Sequence, residues 1–178
     1  MNVPAHYRKL VIHALTGDFR SATTVVEEPW RNPGAGEIVI RNRYAGCNAI
    51  FDKNLCRNAI RYVDVRPPYD MGIEAVGEVV AVGPGVTQWQ IGDAVAHSKL
   101  GSGYREYQLA DARRAIRIRE ASPEILTLIP TGISAMVGLE RTEAPFGQEE
   151  VARCAAAAAA ASSSSAYAYA YACPFSKK

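Results

Sequence analysis

The chain has 178 residues, 48 % of them apolar and 21 % charged, with 14 Gly, 10 Pro and a formal net charge of +2. That mixture excludes a collagen, a coiled coil, a disulfide-built miniprotein and a disordered chain. The basic excess sits in Arg153, Lys177 and Lys178 at an acid-free end, so the body up to Val151 is close to neutral and gives no electrostatic ground for binding nucleic acid or anionic lipid. No apolar run approaches the ~20 residues that cross a bilayer, and Met1 to Lys9 has no apolar segment of a secretory leader. The expectation is a cytoplasmic protein without a membrane span.

In chain order, the apolar Leu10–Leu15 and the β-branched Thr23–Glu28 read as strands. Glu37–Tyr44 alternates Ile38, Ile40 and Asn42 against Val39, Arg41 and Arg43, which predicts a half-buried strand after the Pro33-Gly34 turn. Glu74–Val82 is a Val-rich strand whose Gly77 marks a bulge or a close backbone approach. Turns at Pro84-Gly85 and Gly92-Asp93 precede strands at Ala94–His97, Tyr104–Leu109 and Ala115–Ile118. Ser122-Pro123-Glu124 is a helix start leading into Ile125–Ile129, Pro130 is expected to end that helix, and a second is expected over Thr131–Arg141. Many short strands followed by helices predict a mainly β fold, a partly open barrel with helices at its end.

After Val151 the composition changes to unbroken Ala, then Ser162–Ser165, then alternating Ala and Tyr. Such a segment has little to bury and predicts a frayed helix or disorder, although its uncharged Ala-Tyr alternation is also a candidate adhesive β segment. The basic run Arg113–Arg119 alternates with Ile116 and Ile118 and reads as an exposed strand, because no base-stacking aromatics are interleaved.

The most specific pattern is Tyr69–Asp93, YDMGIEAVGEVVAVGPGVTQWQIGD, followed by Val95. Its Gly72, Glu74, Gly77, Val79, Gly83, Gly92 and Asp93 resemble, in register, the catalytic-domain signature of the medium-chain dehydrogenase/reductase superfamily. Arg41–Asn48 (RNRYAGCN), Gly103–Tyr107 (GYREY) and Thr131–Ala135 (TGISA) extend the similarity over residues 8–151. The resemblance is closest to the zinc-independent branch, the quinone oxidoreductases and prostaglandin reductases. It implies a GroES-like catalytic domain over residues 8–130, a linker helix over 131–151 leading to a truncated α/β cofactor domain, and a low-complexity tail over 152–178.

Zinc is not expected. The imidazole position of the zinc enzymes is Ile73, their thiolate position is Asn48, and Cys47 on the neighbouring residue of a strand points to the opposite face. Cys47, Cys56, Cys154 and Cys173 contain no C-x-x-C pair, and His6, His13 and His97 have no partner at metal spacing. They read as reduced thiols and ordinary surface or core histidines.

Chemistry without a metal is polar positioning of substrate beside a nicotinamide. The resemblance implies that Asn48, in the Gly46-Cys47-Asn48-Ala49 run, lies beside both the cofactor and the substrate; its amide can donate to a carbonyl oxygen without carrying charge. It also implies an Asp three residues later, whereas Asp52 here comes four later. Tyr62 is a candidate pocket-lining residue and Ser134 a candidate donor to the nicotinamide amide. No Gly follows Gly147, so this sequence holds no G-x-G-x-x-G phosphate cradle there. The expected function is the substrate-side half of an NADPH-dependent reductase of quinones or enones. The alternative is a stand-alone GroES-like barrel without catalysis or cofactor binding. The oligomeric state stays open.

Overall fold

The computed structural model describes residues 3–141 and 169–172. Strand β1 (His6–Ile12) pairs antiparallel with β2 (Thr23–Pro29), the two joined through a single-turn helix α1 (Phe19–Ala22) that Asp18 caps by accepting from the Ser21 amide. With β4 (Tyr69–Asp70) on the other side of β1, these make a three-stranded sheet. The second sheet is built on β3 (Glu37–Cys47) and β5 (Glu74–Val82), its two longest strands. Beyond them lie β6 (Ala94–Ser98), β7 (Tyr107–Asp111) and β8 (Ile116–Arg117), in the order β7-β3-β5-β6-β8. The two sheets do not close into a ring, as a partly open barrel requires.

Strand positions follow the apolar alternation. Ile38 and Ile40 of β3, Val79 of β5 and Val95 of β6 are fully buried around Trp89. Complete burial of each such side chain stabilises the fold by about 1.5–3 kcal/mol. The Trp89 indole N–H donates to the Ala112 carbonyl at 2.7 Å, and Arg117 lies 4.6 Å over the same ring while pairing with Asp93 at 2.8 Å. Part of the basic run is thereby tied to the sheet. Gly77 makes the close approach expected of it: a Cβ there would stand 2.1 Å from the Arg41 carbonyl oxygen, beside a shift in the β3–β5 register.

One expectation is corrected. Pro130 does not end a helix, because α3 runs unbroken from Pro123 to Arg141. Proline removes one backbone donor, but Leu126 and Ile129 on the preceding turn are buried against Val76 and Ala96, and that packing holds the helix across the proline. Thr131 and Ser134 hydroxyls donate back to the Thr127 and Pro130 carbonyls, satisfying acceptors around it. In the low-complexity end, the described residues Tyr169–Ala172 take the β form that their Ala-Tyr alternation also allows. They form β9, antiparallel to β3, with Gly46 opposite Ala170 and Cys47 opposite Tyr169. The rest of the segment after Arg141, including most of the expected tail, lies outside the described residues. No helix among them is long and apolar enough to cross a membrane.

Candidate functional site

The site is built where β3 ends and helix α2 (Ala49–Cys56) begins. Asn48 holds the N-cap position of α2, yet its side chain makes no capping bond. Instead Asn48 Nδ2 donates to Glu74 Oε1 at 2.8 Å. Glu74 comes from β5 and is only 4 % exposed. This pairing explains Gly46: a Cβ on that residue would lie 2.1 Å from Glu74 Oε1, so only glycine leaves room for the carboxylate behind Asn48.

Asp52 sits one turn into α2 and is 2 % exposed. The Tyr104 hydroxyl donates to its Oδ2 at 2.5 Å, while Oδ1 has no hydrogen-bond partner. Burial pushes the Asp52 carboxyl up to about 6, against the hydrogen bond from Tyr104 that favours the charged form. Glu74 is also raised, first by burial and further by the Asp52 charge, with the Asn48 bond pulling the other way; its Oε2 is likewise unpartnered. The two buried carboxyls keep free oxygens that can accept from a ligand's hydroxyl, and the raised Asp52 can hold a proton up to about pH 6.

Cys47 adjoins them, half-buried, and its thiol is raised mainly by burial, with the Asp52 and Glu74 charges adding to it. Cys47, Ala49, Asp52 and Lys53 line a cavity of about 390 Å³ together with Gly17 and Phe19. Its other lining residue, Asp18, is engaged in capping α1.

The structure thus brings Asn48 and Asp52 to one place, the extra residue before Asp52 being absorbed as α2 starts. Tyr62 is not brought there: it is 80 % exposed on the loop after α2, carried outward rather than into the cavity. Ser134 is exposed on α3, and its hydroxyl is committed to the Pro130 carbonyl. Glu74 and Tyr104 were missed as site residues, although both stand inside the quoted motifs. An acidic residue opening a strand between the apolar Ile73 and Ala75 was the available signal for Glu74.

His6 and His13 are exposed. His97 is buried, with Nε2 2.9 Å from Asn42 Oδ1 and Nδ1 3.1 Å from Ser102 Oγ, and burial lowers it to about 4, so it is neutral. Asn42 Nδ2 in turn donates to the carbonyls of Ser102, Gly103 and Arg105, fixing the turn that presents Tyr104. No group of three or more His, Cys, Asp or Glu among the described residues could hold a metal ion.

Comparison with known proteins gives concordant results. Residues 34–120 match the model of the alcohol dehydrogenase GroES-like domain. Over 141 residues the chain is 38 % identical to prostaglandin reductase-3 of Bos taurus, covering 78 % of this chain and 36 % of that protein. It is also 38 % identical over 141 residues to a probable quinone oxidoreductase of Leishmania amazonensis, covering 78 % and 40 %. The fold superposes on Escherichia coli quinone oxidoreductase complexed with NADPH with a TM-score of 0.64 and 24 % identity, over 75 % of this chain and 41 % of that one. The chain therefore spans about two fifths of the length of these relatives.

Proposed function

From the membership of residues 34–120 in the alcohol dehydrogenase GroES-like domain family, within the medium-chain dehydrogenase/reductase superfamily, we propose that this chain supplies the substrate side of a zinc-independent, NADPH-dependent reductase of quinones or enones. The observation that carries the reading is the Asn48–Glu74 pair beside the Asp52 cavity. It offers an uncharged amide and protonatable carboxyls with free oxygens. The relatives named above bear quinone and prostaglandin reductase names, which supports the substrate class.

NADPH, when bound, supplies the hydride. The described residues offer no Gly-rich strand-to-helix turn for its pyrophosphate, so they fit the substrate and not the dinucleotide. What this chain's residues do is narrower. Glu74 fixes the Asn48 amide by accepting one of its protons, leaving the second N–H to orient a carbonyl oxygen. Tyr104 donates its hydroxyl proton to the buried Asp52, leaving Asp52 Oδ1 free to accept from a ligand. A cytoplasmic setting keeps the free thiols Cys47 and Cys56 reduced.

The test joins residues 1–141 to the dinucleotide-binding domain of Escherichia coli quinone oxidoreductase and follows NADPH oxidation with 1,4-naphthoquinone and with 2-cyclohexen-1-one. Turnover of either, lowered by about 10²-fold in Asn48→Ala, supports the reading. A folded chimera that binds NADPH and reduces neither compound refutes it.

A further inference from the structure

We propose that the terminal edge of β3, Tyr44–Cys47, is a strand-docking site whose ligands are extended, uncharged, proline-free peptide segments, with β9 as its resident occupant. The inference does not depend on the reductase reading. β7 pairs with β3 only from Glu37 to Arg41, and the last bond on that side runs from the Asn42 amide to the Glu106 carbonyl at 2.9 Å. Beyond it, among the described residues, β9 is the strand that takes up the edge β7 leaves. Its four rungs are Tyr44–Ala172, Ala45–Tyr171, Gly46–Ala170 and Cys47–Tyr169. β5 holds the opposite side of β3 as far as Ala45.

A bare edge presents a row of unpaired N–H and C=O groups, and sheets blunt such edges with charge, proline or short strands. The other edges of the two sheets are blunted in these ways. β2 ends in Glu27-Glu28-Pro29, and β4 is two residues long and follows Pro67-Pro68. β7 runs between Glu106 and its own terminal Asp111, and β8 is two residues long inside the basic run. Tyr44-Ala45-Gly46-Cys47 carries neither charge nor proline. Arg43, just before it, is paired with Glu78 of β5 at 2.8 Å, so its charge does not guard the edge.

The resident occupant has the matching chemistry. Residues 166–172 alternate Ala and Tyr without a charge, and proline enters only at Pro174. Strand addition of this kind draws its affinity from main-chain bonds, which any extended segment with free N–H groups supplies. Four rungs at the margin of a sheet can open locally without unfolding the sheet itself, so the resident strand is exchangeable. The docking edge ends one residue before Asn48, which couples its occupant to the end of β3 that carries the candidate site.

The experiment uses the 178-residue chain, its Ala170→Pro variant and the acetylated heptapeptide AYAYAYA bearing a C-terminal fluorophore, read by fluorescence anisotropy. Proline at 170 removes an N–H and fixes φ away from the antiparallel strand value, which opens the edge. The variant is expected to bind the heptapeptide at least ~10-fold more tightly than the parent, where β9 competes as a tethered strand. The peptide AYAPAYA is expected to bind neither chain. Equal binding to parent and variant, no binding to the variant, or equal binding of the two peptides overturns the proposal. Hydrogen exchange at Val76 and Val79 of β5 shows whether the variant keeps its sheet. If it does not, the parent decides through the amides of Tyr169–Ala172. Protection there that excess heptapeptide abolishes supports the proposal; protection that the peptide leaves unchanged, or exchange of all four amides at the rate of an unfolded chain, overturns it. None of these readouts involves a nucleotide or a reducible substrate, so the outcome is independent of whether the chimera reduces quinones.

Discussion

Replacing Asp52 by Asn removes a buried acid whose ionisation opposes folding, and the effect depends on pH in a defined direction. The folded-state value of Asp52 is about 6 against an ordinary 3.8. Between those values the folded chain holds a proton that the unfolded chain has released. The stabilisation from Asp52 is therefore complete below about pH 4 and is lost as the pH rises through about 6. A shift of this size corresponds to roughly 3 kcal/mol. His97 acts in the opposite sense: lowered to about 4, it contributes stability above its ordinary 6.5 that is lost as the pH falls. The two contributions therefore oppose each other as the pH rises from 4 to 6.5. Urea unfolding followed by circular dichroism at pH 4, 5, 6 and 7 separates them. The difference between Asp52→Asn and parent should shift in the variant's favour by roughly 3 kcal/mol from pH 4 to pH 7. Any cost of the amide group itself is independent of pH and cancels in that comparison. Glu74, Cys47, Cys56 and Tyr104 are the titratable neighbours, all of them raised mainly by burial. A difference that stays level with pH would show that Asp52 is not desolvated in the folded chain.

Three other outcomes follow from named contacts. Gly46→Ala places a methyl 2.1 Å from Glu74 Oε1, and thermal denaturation should show a loss of about 1–3 kcal/mol, with an altered Asn48 side-chain amide signal in NMR. Asn48→Ala removes the donor that favours the charged form of Glu74, so the Glu74 carboxyl should titrate still higher when followed by its ¹³C shift. Trp89→Phe leaves the buried Ala112 carbonyl without its indole donor and should cost about 1–3 kcal/mol in urea unfolding.

The strands were legible because their apolar residues alternate and their ends carry Gly or Pro; β5 has the bounds read from EAVGEVVAV alone. Helix α2 was not foreseen. Its sequence AIFDKNLC places a buried Asp between apolar residues, and only the tertiary cavity explains why that residue faces inward. The unbroken α3 was missed because local chemistry at Pro130 is overruled by burial of Leu126 and Ile129, which pairs residues far apart in the chain. Within the site, Asn48 was found from a run that resembles a family motif. Tyr104 was not, because its meeting with Asp52 depends on the turn that Asn42 and His97 hold. Long-range hydrogen bonds of this kind leave no periodic trace.

The pairing of β9 with the last four residues of β3 uses main-chain groups opposite Gly46 and Cys47. Main-chain bonds do not distinguish one side chain from another, so the two partners of this ladder are under unequal constraint. On the β9 side, residues that stay extended and lack proline can be exchanged without cost to the ladder. On the β3 side, Gly46 is fixed by the carboxylate behind it. At the Gly46–Ala170 rung the ladder therefore meets a β3 position that the buried Glu74 carboxylate keeps as glycine.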